Sequence, residues 1–128
     1  MNKHVEKVME LRESGADNCA QAIMKTYAEE IGLTEDIASC ISCNFGGGMK
    51  SGSTCGAVTS ALMVLGAKGI EDPAKIREFK KTIMNNHEGT IICSELLKAN
   101  AEKGGKQKEH CDSMIREAIE LIDEYTAK

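Results

Sequence analysis

The sequence has few aromatic residues and no excess of basic charge. Its 128 residues include no tryptophan, two tyrosines and two phenylalanines, so it lacks the stacking surfaces on which bases and sugars are usually held. Its 16 lysines and arginines are outnumbered by 20 acidic residues, and they are scattered along the chain instead of forming a basic stretch. These absences argue against a nucleic-acid partner.

Long apolar runs are missing as well. No run approaches the roughly 18 residues that span a bilayer, and the start of the chain does not combine a basic segment, an apolar segment and a small-residue cleavage site. We therefore expect no membrane insertion and a cytoplasmic location. The length fits one helical domain with a single core, covering residues 1–128.

Apolar residues recur at helical spacing, and no stretch alternates in the manner of a strand. The pattern predicts an all-α fold, a compact helical bundle of about six to seven helices around a central apolar helix. Residues 54–67 are apolar on nearly every face and should form that central helix. The other predicted helices are 4–14, 18–31, 35–43, 73–86, a short one from Cys93, and 111–126. Residues 100–109 are predicted to be a loop.

Six cysteines are the chemically richest feature of the chain. In a reducing compartment they are poorly explained as a permanent disulfide framework, which favours reversible thiol chemistry or metal binding. Four of them are predicted to open helices: Cys19, Cys55, Cys93 and Cys111. A helix start carries a partial positive charge, so a thiol there should ionise more easily than elsewhere.

The predicted helix starts depend on the residues before each sulfur. Asp17 is a natural N-cap for the helix of Cys19, Ser53 or Thr54 for that of Cys55, and Thr90 precedes Cys93. The four sulfurs also lie on the apolar faces of their helices. If those helices converge, the thiols meet in one place. The alternative is that each cysteine simply packs as a small hydrophobic residue.

Five segments of the chain carry a family resemblance. They are Asn18-Cys19-Ala20-Gln21-Ala22, Phe45-Gly46-Gly47-Gly48-Met49, Thr54-Cys55-Gly56-Ala57-Val58-Thr59, Cys93-Ser94-Glu95-Leu96-Leu97 and Cys111. Over nearly its whole length the chain resembles the family of redox-active proteins named for its C, GCAxxG, C, C pattern. The resemblance implies a small domain with four characteristic cysteines and a redox role. Because genes of the family often lie near transporter genes, it also implies a redox partner protein or a transporter-linked system.

Two features depart from that family pattern. Ser60 stands where the Cys-Gly-Ala-x-x-Gly motif has its final glycine, which weakens any argument that needs no side chain there. Cys40 and Cys43 are additional cysteines that form a C-x-x-C pair at a helix end. On one helix face this pair is either a redox dithiol, half of a metal site, or local packing.

Three functions remain open at this point. In the first, the chain is a thiol oxidoreductase or electron carrier in which Cys55 attacks, Cys19 resolves, and Cys93 and Cys111 form a second pair or support the site. In the second, the four thiolates hold zinc or an iron–sulfur cluster. In the third, the chain is a helical interaction subunit without catalysis. The cofactor, the substrate and the oligomeric state are not indicated by the sequence.

Overall fold

The computed structural model describes residues 2–127, and within them the fold is all-α. Seven α-helices are found in this part of the chain, with one isolated bridge between Thr54 and Ile92 and no strand. The helices are α1 (Lys3–Glu13), α2 (Cys19–Tyr27), α3 (Glu35–Ser42), α4 (Gly56–Ala67), α5 (Pro73–Asn85), α6 (Cys93–Glu102) and α7 (Gln107–Thr126). Single 3₁₀ turns follow α2 and α3, at Glu29–Ile31 and Cys43–Phe45. The predicted fold class is confirmed.

Helices α2 and α4 form the centre of the bundle. α4 packs on α2 and α7, while α2 also contacts α1 and α3. The buried side of α4 consists of Gly56, Ala57, Val58, Ser60, Ala61, Val64 and Leu65, which confirms the predicted apolar helix. Large aliphatic side chains such as Ile23 and Ile119 are fully buried around it, and each contributes about 1.5–3 kcal/mol of stability.

Helix α2 begins with a capping box. The Oδ1 atom of Asn18 accepts the Gln21 N–H at 2.9 Å, and Oε1 of Gln21 accepts the Asn18 N–H at 3.1 Å. The prediction that Asp17 caps this helix is therefore wrong: the Asp17 carboxylate pairs with Lys25 at 3.1 Å. The free amide nitrogen of Asn18 donates to the carbonyl of Cys43 at 2.9 Å, which ties the end of α3 to the start of α2.

A left-handed turn precedes α4. Gly47, Gly48, Met49 and Lys50 have φ angles of 65°, 64°, 59° and 59°. For the two residues with side chains this conformation costs about 1–2 kcal/mol each. The turn closes when the Ser53 N–H donates to the Gly48 carbonyl at 2.8 Å. The positive φ angles thus extend beyond the glycines of this segment to the two residues that follow them.

A polar network joins α1 to α2 and α7. Nδ1 of His4 lies 2.9 Å from Oδ2 of Asp123, its Nε2 contacts Glu30, and the Tyr27 hydroxyl donates to Asp123 at 2.7 Å. Burial acting alone would lower the pKa of His4, but the hydrogen bonds and charges of its two carboxylate partners outweigh it and raise that pKa.

Two predicted details of the helices are wrong. α7 begins at Gln107, so Cys111 lies one turn inside this helix and does not open it. Because α6 runs to Glu102, the predicted loop at 100–109 shrinks to residues 103–106. Between Asn2 and Ala127, no helix combines the length and apolar character needed to cross a bilayer.

Candidate functional site

Four cysteines from separate helix regions line one cavity of about 440 Å³. They are Cys19, Cys55, Cys93 and Cys111. Leu96, Leu97 and Met114 contribute an apolar wall, and the lining also includes the cationic side chains of Arg12 and Lys108. The structure therefore brings together all four sulfurs singled out in the sequence, in a space of the size that ordinary small-molecule sites have.

Three helix N-termini bring sulfurs to this cavity. Cys19 is the first residue of α2, Cys55 occupies the N-cap position of α4, and Cys93 is the first residue of α6. In the described structure neither α4 nor α6 has a side-chain cap, so the predicted capping by Ser53, Thr54 or Thr90 is wrong. The partial positive charges of these helix ends favour thiolate at the sulfurs beside them.

Burial opposes the effect of the helix-end charge on thiol ionisation, and at Cys55 burial is the stronger of the two. This side chain is only 7% exposed. Burial, followed by the nearby charge of Cys19, raises the pKa of the Cys55 thiol to about 12, although the N–H groups of Ala57 and Val58 act in the other direction. The prediction that Cys55 ionises easily at its helix start is therefore wrong.

Cys93 and Cys111 show the same balance. Burial and the charge of Cys19 raise the pKa of Cys93. Burial and Cys19 also raise the pKa of Cys111 to about 11, while the Arg12 guanidinium lowers it. Easy ionisation is thus not found at either of these sulfurs.

Cys19 influences the ionisation of the other three cavity sulfurs. Its charge is one of the causes that raise the pKa values of Cys55, Cys93 and Cys111. Its Sγ also lies against the backbone of Gly56, because a Cβ added at that glycine would be 2.6 Å from the sulfur. Since Gly56 directly follows Cys55 in the chain, Cys19 and Cys55 are close neighbours. All six cysteines in the described chain are free thiols.

Glycines allow the chain to pass close to these sulfurs. A Cβ at Gly48 would lie 2.8 Å from the Cβ of Cys93, and one at Gly46 would overlap the side chain of Asn18. The left-handed turn is therefore held against α6 and the start of α2 without intervening side chains. This close approach is the structural reason for the glycine-rich segment seen in the sequence.

The serine that departs from the motif is accommodated inside α4. Ser60 is fully buried, and its hydroxyl donates to the Gly56 carbonyl at 2.7 Å. A buried hydroxyl with a hydrogen-bond partner carries little desolvation penalty. The substitution therefore leaves the start of α4 intact.

Arg12 is a site residue that the sequence did not reveal. Its Nε donates to Asp112 at 2.7 Å and its Nη1 to the Asp17 carbonyl at 2.8 Å. It thereby joins the end of α1 to α7 beside Cys111. These contacts join residues far apart in the chain, so no local pattern could have indicated them.

The structure also bears on the alternatives to a four-thiol redox site. Within residues 2–127, no group of three or more His, Cys, Asp or Glu side chains has an arrangement that could hold a metal ion. The zinc and iron–sulfur alternative thus lacks a described ligand set. Among the described residues that line the cavity, neither Cys40 nor Cys43 is present; Cys40 is exposed on α3.

Comparison with known proteins identifies one family. The model of a family described as Putative redox-active protein (C_GCAxxG_C_C) matches residues 17–125, a span that includes all four cavity cysteines. No curated protein and no solved structure gives a significant match.

Proposed function

This chain belongs to the C_GCAxxG_C_C family of putative redox-active proteins, and from that membership we propose that its chemistry is thiol–disulfide exchange within the four-cysteine cavity. The observation that carries the proposal is the convergence of Cys19, Cys55, Cys93 and Cys111 on one cavity of about 440 Å³. Cys19 lies against Gly56, the neighbour of Cys55, and thiols that share one cavity can form and exchange disulfides as the chain moves. The protein would then be a thiol oxidoreductase.

We assign the attack to Cys19 and the resolving step to Cys55, which reverses the roles expected from the sequence. Cys19 is partly exposed at the start of α2, whereas Cys55 is buried with a pKa raised to about 12. The thiolate is the attacking species in disulfide exchange. A buried thiol that holds its proton is the weaker first nucleophile.

The first step removes a charge that hinders the ionisation of the Cys55 thiol. The Cys19 thiolate attacks one sulfur of a substrate disulfide, the substrate S–S bond breaks, and one substrate thiolate leaves and takes up a proton. The mixed disulfide on Cys19 carries no charge. Because the charge of Cys19 is the second cause of the raised Cys55 pKa, after burial, its loss makes Cys55 easier to ionise.

The second step completes the transfer. The Cys55 thiolate attacks the Cys19 sulfur, forms a Cys19–Cys55 disulfide and expels the second substrate thiolate, which takes up the other proton. Both protein thiols are oxidised and the substrate disulfide is reduced. We propose that Cys93 and Cys111 serve as a second pair and that a redox partner protein, in a transporter-linked system, returns the electrons.

Trapping experiments test these roles. The reduced protein is treated with oxidised glutathione, quenched with an alkylating reagent, and mapped by mass spectrometry. We expect Cys55→Ser to accumulate glutathione on Cys19, whereas Cys93→Ser, a matched change of another cavity cysteine, should still form the Cys19–Cys55 disulfide. Equal trapping in both variants, or no reaction at Cys19 in the wild type, would contradict the assignment.

A further inference from the structure

Two cysteines outside the cavity form a separate pair at the end of α3. Cys40 is exposed and Cys43 is half-buried, and the residues between them, Ile41 and Ser42, complete one helical turn. We propose that Cys40 and Cys43 form a second redox centre, an exposed dithiol that reduces accessible disulfides and closes to an intramolecular Cys40–Cys43 disulfide.

The position of the pair in the helix favours this closure. Side chains three residues apart on a helix are neighbours, with Cβ atoms about 5–6 Å apart, whereas a disulfide needs a Cβ separation of about 3.5–4.5 Å. Cys40 lies in the last turn of α3, and Cys43 directly follows this helix as the first residue of the 3₁₀ turn Cys43–Phe45. The pair therefore lies at a helix end, where helices fray. A movement of about 1–2 Å at the helix end therefore suffices to join the sulfurs.

The Cys43 side chain already points towards its partner residue. Its Sγ lies 3.3 Å from the carbonyl oxygen of Cys40. The same turn is anchored on α2, since Asn18 donates to the Cys43 carbonyl at 2.9 Å and Gln21 donates to the Ser39 hydroxyl at 3.1 Å. Contacts on either side of Cys40 thus hold this turn of the chain on α2.

Packing alone does not account for the exposed member of the pair. Free cysteine is among the most buried residue types and normally serves as a small hydrophobic side chain. Cys40 instead shares the solvent-exposed face of α3 with Ile37 and Ile41, which are 50% and 49% exposed. An exposed thiol can attack an external disulfide, and a second thiol one turn away can resolve the mixed disulfide that forms.

The reaction balances with a disulfide as the oxidant. The Cys40 thiolate attacks one sulfur of the external disulfide, forming a mixed disulfide and releasing one thiolate that takes up a proton. The Cys43 thiolate then attacks the Cys40 sulfur, forms the intramolecular bond and releases the second thiolate, which takes up the other proton. Two protein thiols are oxidised and one external disulfide yields two thiols.

The test compares the wild type with a variant that cannot close the bond. The whole chain is reduced, exposed to oxidised glutathione, quenched by alkylation and mapped by mass spectrometry. We expect a linked Cys40–Cys43 peptide in the wild type and glutathione trapped on Cys40 in Cys43→Ser. Because a tethered thiol acts at an effective concentration in the mM range, the wild type should retain at least about tenfold less glutathione on Cys40.

A second arm and an independent readout complete the test. In the second arm, insulin replaces oxidised glutathione as the external disulfide. Reaction with insulin would show that the pair reduces protein disulfides, and reaction with glutathione alone would show that it reduces small-molecule disulfides. Equal glutathione on Cys40 in both proteins, or unreacted Cys40 and Cys43 in both arms, overturns the proposal. The same maps score the Cys19–Cys55 bond separately, so failure at the cavity is distinguishable from failure on α3.

Discussion

Replacement of Gly56 by alanine tests the close contact between α2, α4 and the preceding turn. The new Cβ would lie 2.6 Å from Sγ of Cys19 and 2.8 Å from the carbonyl oxygen of Phe45. The sulfur can rotate away, but the carbonyl belongs to the backbone of a turn packed on both helices. We therefore expect the turn to shift and the sulfur to be displaced from its place beside Cys55.

The expected change in the free energy of unfolding is the difference between two opposing effects. Overpacking of a dense interior costs about 1–3 kcal/mol, whereas glycine to alanine in a helix gains up to about 1 kcal/mol from propensity. We expect Gly56→Ala to lower the free energy of unfolding by about 1–2 kcal/mol. The measurement is urea unfolding with linear extrapolation, combined with the alkylation rate of Cys19.

Gly66 provides a matched control on the same helix. It lies near the exposed C-terminal end of α4, where no described atom outside the immediate backbone comes within 4 Å of an added Cβ. Gly66→Ala should therefore keep or raise stability, by up to about 1 kcal/mol. If Gly56→Ala matches Gly66→Ala in stability and leaves Cys19 alkylation unchanged, the packing described at the cavity is refuted.

Three further predictions follow from the capping box, the His4 network and the cavity. Asn18→Ala should lower the free energy of unfolding by about 0.5–2 kcal/mol because it removes an N-cap, and it should change the alkylation rate of Cys19. The control Asp72→Ala removes the cap of α5 and should lower stability without changing that rate. Equal alkylation rates of Cys19 in the two variants would contradict the prediction. His4 has a raised pKa, so its contribution to the free energy of unfolding is present below about pH 6.5 and is lost as the pH rises through the folded-state pKa. In unfolding curves measured over this pH range, His4→Gln should remove that pH dependence. An unchanged pH profile of stability would contradict the prediction. Elemental analysis of protein purified without oxygen should show no stoichiometric zinc or iron. Near-stoichiometric metal that is lost in both Cys19→Ser and Cys55→Ser would contradict the metal-free mechanism.

The sequence predicts well those elements whose pattern is local. The apolar run of α4 requires only the burial rule, because a helix that is apolar on nearly every face belongs inside a bundle. The start of α2 was also within reach, because Gln21 lies three residues after Asn18 and completes a capping box. Asp17 is an equally favoured cap residue, but Ala20 lies three residues after it and cannot complete such a box.

Other features depend on contacts that are distant in sequence. The first turn of α7 is polar on all sides, so hydrophobic periodicity gives no sign that the helix begins before Cys111. The ionisation of Cys55 depends on how deeply α4 is buried, and this outweighs the helix-end charge that the sequence makes visible. The left-handed Met49 and Lys50 are opposed by their own conformational preferences and are held only by the surrounding structure.

The side-chain amide of Asn18 joins two places on the protein that both carry cysteines. Its oxygen holds the start of α2, one residue before Cys19, and its nitrogen holds the carbonyl of Cys43. A displacement of that carbonyl must either move this amide or break the bond. Thermodynamic linkage is reciprocal. If formation of the Cys40–Cys43 disulfide changes an equilibrium constant at Cys19 by some factor, the corresponding change at Cys19 alters the equilibrium of the Cys40–Cys43 disulfide by the same factor.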